Sequence, residues 1–333
     1  MRCLGMKTPD VSYPFHTDRP SPFFCAFVIV SVLLAFMVKV QAQRASARSI
    51  ALKQQIASAE EQHASEKKIG ALWLQLANEY QSHLDLPSAE QAFTHAIPLL
   101  RFPDSHRDLA DALDGLGSVY LSTGRVPESR MLLRKSLLLY RELHDRSHEA
   151  HLHEALAIGF LLDRHYRDAE QEASETLSEL HEQQSSDIAE REAALLTRSY
   201  ARAYQGRCRG ALEDTQQAQI LVSSRLEANS LEAATFWASR SFALWRCGVH
   251  DGAEEAVLKA LEIVNSHTDL PRPLLLSYRL SVLQQYLEYL KDTRRKPEAA
   301  RVEADIRQIQ EEMPLACSSC TVHAAALSMA MLP

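Results

Sequence analysis

Four histidines crowd one short stretch of this sequence: His144, His148, His151 and His153, with Glu154 directly after. His148 and His151 are three residues apart and Glu154 is three beyond His151, so on a helix two imidazoles and a carboxylate share one face, donor types that zinc accepts. The same stretch reads as a connection between helices, where polar side chains need no ligand, and solvated histidines are the expectation there. Cys317 and Cys320 with His323 make half of a zinc site without a second ligand pair, in a segment after Pro314 that reads as a disordered tail. Cys208 and Cys247 fall at separate helix turns; a disulfide between them needs an oxidising compartment, and two buried thiols are the preferred reading. The chain has no Gly-x-x-x-x-Gly-Lys phosphate loop, no Gly-x-Ser-x-Gly elbow and no His-Glu-x-x-His helix. No catalytic residue, metal ligand or cofactor is therefore assigned, and the chain is expected not to be an enzyme.

The elements that would position any site read as helical. Ten glycines and thirteen prolines in 333 residues lie well under the roughly 12% of average usage. A hydrophobic share of 46% with 24% charged residues describes a chain that buries a core rather than a disordered one. The net charge of −7 withholds the positive field that phosphate backbones require. Basic clusters do occur at Arg207-Cys208-Arg209 and Arg294-Arg295-Lys296, but no aromatic residues interleave with them, so they read as solvated turn charges and nucleic acid is not an expected partner.

Residues 22–40 hold an apolar run, uncharged until Lys39, after a polar tail over residues 1–21. As a helix the uncharged part is about 25 Å long, slightly short for a hydrocarbon core of about 30 Å, which snorkelling by Lys39 extends. A single membrane anchor is the leading expectation, ahead of a cleaved secretory signal and a buried helix. Basic residues flank the run on both sides, so orientation is not set by charge; a membrane-associated or exported location is expected, the extracytoplasmic side slightly favoured. Residues 41–68 are rich in Ala, Gln, Glu and Lys and read as a solvated helical spacer.

From residue 69 to 312 the chain repeats. Trp73, Leu76, Ala77 and Tyr80 place large groups on one helical face with a small residue among them; after Leu86-Pro87, Ala89, Phe93 and Ala96 form the stripe of a second helix packing back on the first. The second unit reads Leu113, Leu116, Gly117, Tyr120, Gly124, Ser129, Leu133 and Ser136. The third reads Leu156, Ala157, Phe160, Tyr166, Ala169 and Ala173, with His153 in the leading position. In the fourth, Gly206, Ala211 and Ala218 fit, whereas Leu195, Arg198, Ser199 and Arg202 leave the register open. Trp237, Ser241, Leu244, Gly248, Ala253, Val257 and Ala260 make the fifth, and Leu283, Leu287, Leu290, Ala299 and Ile306 a faint sixth. This pattern resembles the tetratricopeptide repeat (TPR) family. The second-helix small residues, Ala89, Ser129, Ala169, Ala211, Ala253 and Ala299, lie 40, 40, 42, 42 and 46 residues apart, longer than the minimal repeat of about 34 and similar to long-period members such as kinesin light chain. The resemblance implies an all-α, right-handed solenoid of about six hairpins.

It also implies a concave groove lined by the first helices, at positions one, five, eight and nine after the leading residue. Carried over, these are Leu74, Asn78, Gln81 and Ser82; Asp114, Ser118, Leu121 and Ser122; Glu154, Ile158, Leu161 and Leu162; Leu196, Tyr200, Ala203 and Tyr204; and Ala238, Phe242, Trp245 and Arg246. Tyr200, Tyr204, Phe242 and Trp245 form an aromatic wall with Arg246, residue types that dominate interface energies; packing between units is the equal alternative. Family members that clamp a chaperone's terminal carboxylate use lysine, asparagine and arginine at groove positions. Asn78 alone matches, and Asp114 and Glu154 oppose such a ligand. The expected function is a non-catalytic adaptor binding a protein or peptide segment, with a ligand-responsive sensor as the alternative.

Overall fold

The computed structural model describes residues 47–83, 85–182, 188–225, 230–267 and 272–312. The apolar run over residues 22–40, the polar tail before it and the segment 313–333 with Cys317, Cys320 and His323 lie outside the described residues. Among the described residues no helix is long and apolar enough to cross a membrane.

A first helix, α1 (residues 47–61), precedes six antiparallel pairs. These are α2 (Glu66–Ser82) with α3 (Leu86–Leu99), α4 (His106–Ser122) with α5 (Val126–Glu142), and α6 (Arg146–Leu162) with α7 (Tyr166–Glu182). There follow α8 (Ile188–Tyr204) with α9 (Cys208–Arg225), α10 (Leu231–Arg246) with α11 (His250–Ser266), and α12 (Arg272–Asp292) with α13 (Lys296–Glu312). Each helix packs on its hairpin partner and on the next hairpin in sequence. Within residues 52–312 the described core is thus a chain of nearest-neighbour interfaces. The helix expected as a solvated spacer is buried along one face: Leu52 and Ile56 join Leu74, Leu76 and Phe93 in the core of the first hairpin.

Local chemistry starts and stops these helices. Ser65, Asp85, Asp145 and Ser230 each accept a hydrogen bond from the backbone N–H three residues on, satisfying a donor that the first turn leaves free. Pro87 and Pro127 occupy first turns, where a missing N–H is harmless. Inside each hairpin the turn closes the same way. Asp85 N–H donates to Tyr80, Arg125 to Tyr120, His165 to Phe160, Arg207 to Arg202, Val249 to Leu244 and Arg295 to Leu290, at 2.8–3.0 Å. Three of these turns use a left-handed glycine, Gly124, Gly206 and Gly248, and two use an arginine in the same region, Arg164 and Arg294.

The helices of a hairpin cross at small residues twelve apart, all of them buried: Ala77 on Ala89, Gly117 on Ser129, Ala157 on Ala169, Ser199 on Ala211 and Ser241 on Ala253. A Cβ at Gly117 would sit 2.9 Å from the Leu133 side chain, which is why glycine fits this crossing. Where serine replaces alanine it donates across the seam: Ser129 to the Gly117 carbonyl at 2.7 Å, Ser199 to Ala211 at 2.8 Å and Ser241 to Ala253 at 2.7 Å. The bond from Ser199 settles the fourth unit's register. Leu195 leads, Ser199 is the small residue, and Arg202 stands where Tyr80, Tyr120 and Phe160 stand in earlier units.

Candidate interaction face

The register places Tyr200 and Tyr204 on α8, and Phe242, Trp245 and Arg246 on α10, in one continuous aromatic group. Tyr200 stacks on Phe242 with ring centroids 4.3 Å apart, and Tyr204 stacks on Tyr166 at the same distance, 7° from parallel. Tyr204 also leans on Phe242 at 4.8 Å, and Trp245 meets Phe242 and Tyr289 edge-on. Arg246 lies over the rings of Tyr204 and Trp245, 5.3 and 5.9 Å from their centroids.

Burial divides the wall into two layers. Phe242 is 5% exposed and packs with Ala203 and Ala211, so it is core; Tyr200 and Trp245 are half-buried; Tyr204 is 39% exposed and Arg246 is exposed. Packing between units thus accounts for Phe242, while Tyr204 and Arg246 stay exposed. Bonds across α10 fasten the inner layer: Gln285 of α12 donates to the Ala238 carbonyl at 2.8 Å, and the Trp245 indole donates to Asp292 at 2.8 Å. Burial pushes the Tyr204 hydroxyl above its ordinary pKa; Tyr166 adds to this, while Arg246 and Arg164 pull against it.

Tyr166, Arg164, Gln285 and Asp292 belong to this face and were not among the expected groove residues. Only Tyr166 carried a sequence signal, as an aromatic at the start of a second helix. Cys208 and Cys247 are joined in a disulfide, Cα atoms 5.4 Å apart, contrary to the expectation of two thiols. Cys247 ends α10 and Cys208 begins α9, so the crosslink binds two consecutive hairpins directly beside Arg246.

The first three units offer little of this kind. Asn78 and Ser82 are exposed and Gln81 half-buried, whereas Leu74, Leu121, Ser122 and Ile158 are buried in seams between helices. Asp114 is half-buried, 3.7 Å from His151, and accepts a long 3.5 Å bond from Ser118. Glu154 is buried: Thr197 of α8 donates to one carboxylate oxygen at 2.6 Å, the other has no partner among the described residues, and burial pushes its pKa up to about 7. The repeat-signature residues Trp73, Leu76, Ala77, Tyr80, Ala89, Phe93, Ala96, Leu116, Gly117, Tyr120, Ala169, Ala211, Trp237 and Ala253 all lie in the helix seams, buried or half-buried.

The histidine cluster is dispersed. His148 stacks on Tyr140 with centroids 4.5 Å apart and lies 3.0 Å from Asp145, while His151 turns toward Asp114. His153, expected to be solvated, is 5% exposed; its Nδ1 is 2.6 Å from Glu172 and its Nε2 is 3.0 Å from Arg141. A polar residue at a core position is tolerated here because both ring nitrogens are satisfied. Among the described residues no group of three His, Cys, Asp or Glu side chains could hold a metal ion.

Nor are the basic turns merely solvated. Arg125 reaches Glu90 of the preceding hairpin at 2.7 Å, Arg207 reaches Glu170 at 2.5 Å, and Arg295 reaches Glu254 at 2.5 Å. Each arginine lies four residues before a small crossing residue and each glutamate one after the corresponding residue of the unit before. A clasp thus recurs at every second junction. At the fourth unit it widens into a network, with Asp214 bridging Arg198 and Arg202, and Arg202 and Gln205 joining Arg207 on Glu170.

No protein-family model matches the chain, and no curated protein matches it. Solved structures of similar fold are many. The apo form of RapI shares 13% identity at a TM-score of 0.68, over 83% of this chain and 96% of that one. A Rap conjugation gene regulator of plasmid pLS20, in complex with the Phr* peptide, matches at 13% identity and a TM-score of 0.51, over 78% of this chain and 73% of its own. TPR-like repeats of a putative kinesin light chain from Podosopora anserina match at 15% identity and 0.50, over 60% of this chain and 96% of theirs. In fold, then, this chain is a TPR-like array of tandem helical hairpins.

Proposed function

We propose that the protein is a non-catalytic scaffold that holds a protein or peptide segment against the inner helices of a right-handed solenoid, from a membrane-tethered or exported position. One observation carries the reading: Tyr204 keeps 39% of its surface in solvent while its ring is clamped between Tyr166 and Arg246. Large rings already ordered before binding lose little entropy when a partner covers them. A peptide as client is supported by the Rap regulator that shares the fold and is solved with the Phr* peptide. The disulfide between Cys208 and Cys247 supports an exported location, because such bonds persist in oxidising compartments.

That same regulator favours a second reading, in which a peptide shifts the array between two arrangements and the protein is a sensor. The deciding experiment is affinity capture from native membranes with the intact protein and with Tyr204→Ala, after matching their thermal transitions. Selective loss of one set of partners supports the scaffold and names its client. Unchanged capture removes Tyr204 from the binding face and moves the sensor ahead, to be followed by a peptide screen read as a change in scattering radius.

A further inference from the structure

The surface around Tyr204 carries two guanidiniums that make no ion pair among the described residues. Arginines at the hairpin junctions are paired: Arg125 with Glu90, Arg130 with Asp163, Arg202 and Arg207 with Glu170, Arg295 with Glu254. Arg246 and Arg164 differ. Both are exposed, and neither takes part in an ion pair among the described residues. Arg246 spends its π surface on Tyr204 and Trp245, which leaves its N–H edge free for an anion. Arg164 occupies the left-handed turn two residues before Tyr166, the ring stacked on Tyr204. The Tyr204 hydroxyl feels both cations. Carboxylates lie nearby as well: Asp163 is held by Arg130 at 2.8 Å, Glu288 is 3.8 Å from Lys291, and Asp292 accepts the Trp245 indole N–H while keeping its charge.

We propose that this face takes a client segment in which an Asp or Glu carboxylate meets Arg246 and Arg164 while a neighbouring apolar side chain lies on Tyr204. The inference rests on the scaffold reading and names the chemistry of its partner. A bidentate carboxylate suits a guanidinium edge, and the adjoining ring face suits the apolar group; the stacked rings hold Arg246 in place beforehand. The neighbouring disulfide ties the end of α10 to α9 and limits how far Arg246 can move with its helix.

The test uses the full-length protein in detergent and two short fluorescent peptide pools, identical except that a central glutamate flanked by leucine and tyrosine is glutamine in the second. The acidic pool should bind about tenfold tighter, the factor one charge-assisted hydrogen bond supports. Arg246→Gln should abolish the preference, and Arg246→Lys should keep part of it, since charge remains and the planar fork is lost. Equal binding of the two pools that is lost in Tyr204→Ala overturns the acidic preference and leaves the scaffold standing. An acidic preference untouched by Arg246→Gln and Arg164→Gln together also overturns it. Binding of neither pool overturns this inference, and capture with the intact protein then judges the scaffold separately.

Discussion

Ser199 lies against Ala211 with its hydroxyl donating to the Ala211 carbonyl at 2.8 Å, the same bond that Ser241 makes to Ala253 one unit later. The least regular unit thus has its two helices locked at the same point as the others. Ser199→Ala should cost about 1 kcal/mol, the net worth of a buried hydrogen bond. Ser199→Leu should cost about 1–3 kcal/mol, because the crossing has no room for a larger side chain. Urea unfolding separates the two, and a leucine variant as stable as the alanine variant would put this seam in the wrong register.

Asp214 is 1% exposed and is held by Arg198 and Arg202. Removing it leaves two half-buried guanidiniums short of a partner, so Asp214→Ala should destabilise by about 3–5 kcal/mol. Arg207→Ala, whose side chain is 58% exposed, should cost under about 1 kcal/mol although its ion pair with Glu170 is short. The order of the two denaturation midpoints is the check.

Glu154 predicts a pH dependence with a definite sign. Its carboxyl is raised to about 7 by burial, so between the ordinary carboxylate pKa and 7 the folded chain holds a proton that the unfolded chain has released. Its contribution is fully present below the unfolded pKa and fades as pH rises through about 7, with an upper bound of roughly 3 kcal/mol. Glu154→Gln should flatten this fall in stability between weakly acidic and neutral pH. Glu170 acts in the opposite sense. Burial pushes it up, but Arg202, Gln205 and Arg207 outweigh that and hold it below its ordinary value, so its contribution is lost as pH falls. Melting curves of the wild type and Glu154→Gln across this range would reveal an equal slope if Glu154 were not the group responsible.

The crosslink from Cys208 to Cys247 closes a loop with a sequence separation of 39. Its loss, by reductant or by the Cys208→Ala, Cys247→Ala pair, should cost about 3–4 kcal/mol if chain entropy sets its worth. Thermal unfolding with and without dithiothreitol should differ for the wild type and coincide for the double variant.

Phe242 and Tyr204 touch each other but should behave differently on truncation. Phe242→Ala opens the core and should cost about 3–5 kcal/mol, whereas Tyr204→Ala should leave most of the stability and cost about 1–3 kcal/mol of client binding. Calorimetry of folding and of binding on both variants tests the division.

Much of the array was legible because a hairpin is a local object. Its caps, its turn and the small residues at its crossing are set within one repeat, so Ala77, Ala89, Gly117 and Ser129 stand out in the repeat pattern before their contacts are seen. The sequence determined the helical class and the long period. Tertiary structure decided what spacing does not encode. It paired Cys208 with Cys247, buried His153 between Arg141 and Glu172, clasped Arg207 to a glutamate 37 residues earlier, and sorted Phe242 into the core and Tyr204 onto the surface. Those outcomes depend on which side chain of the next hairpin arrives opposite, and the same residue type is core or contact according to that neighbour.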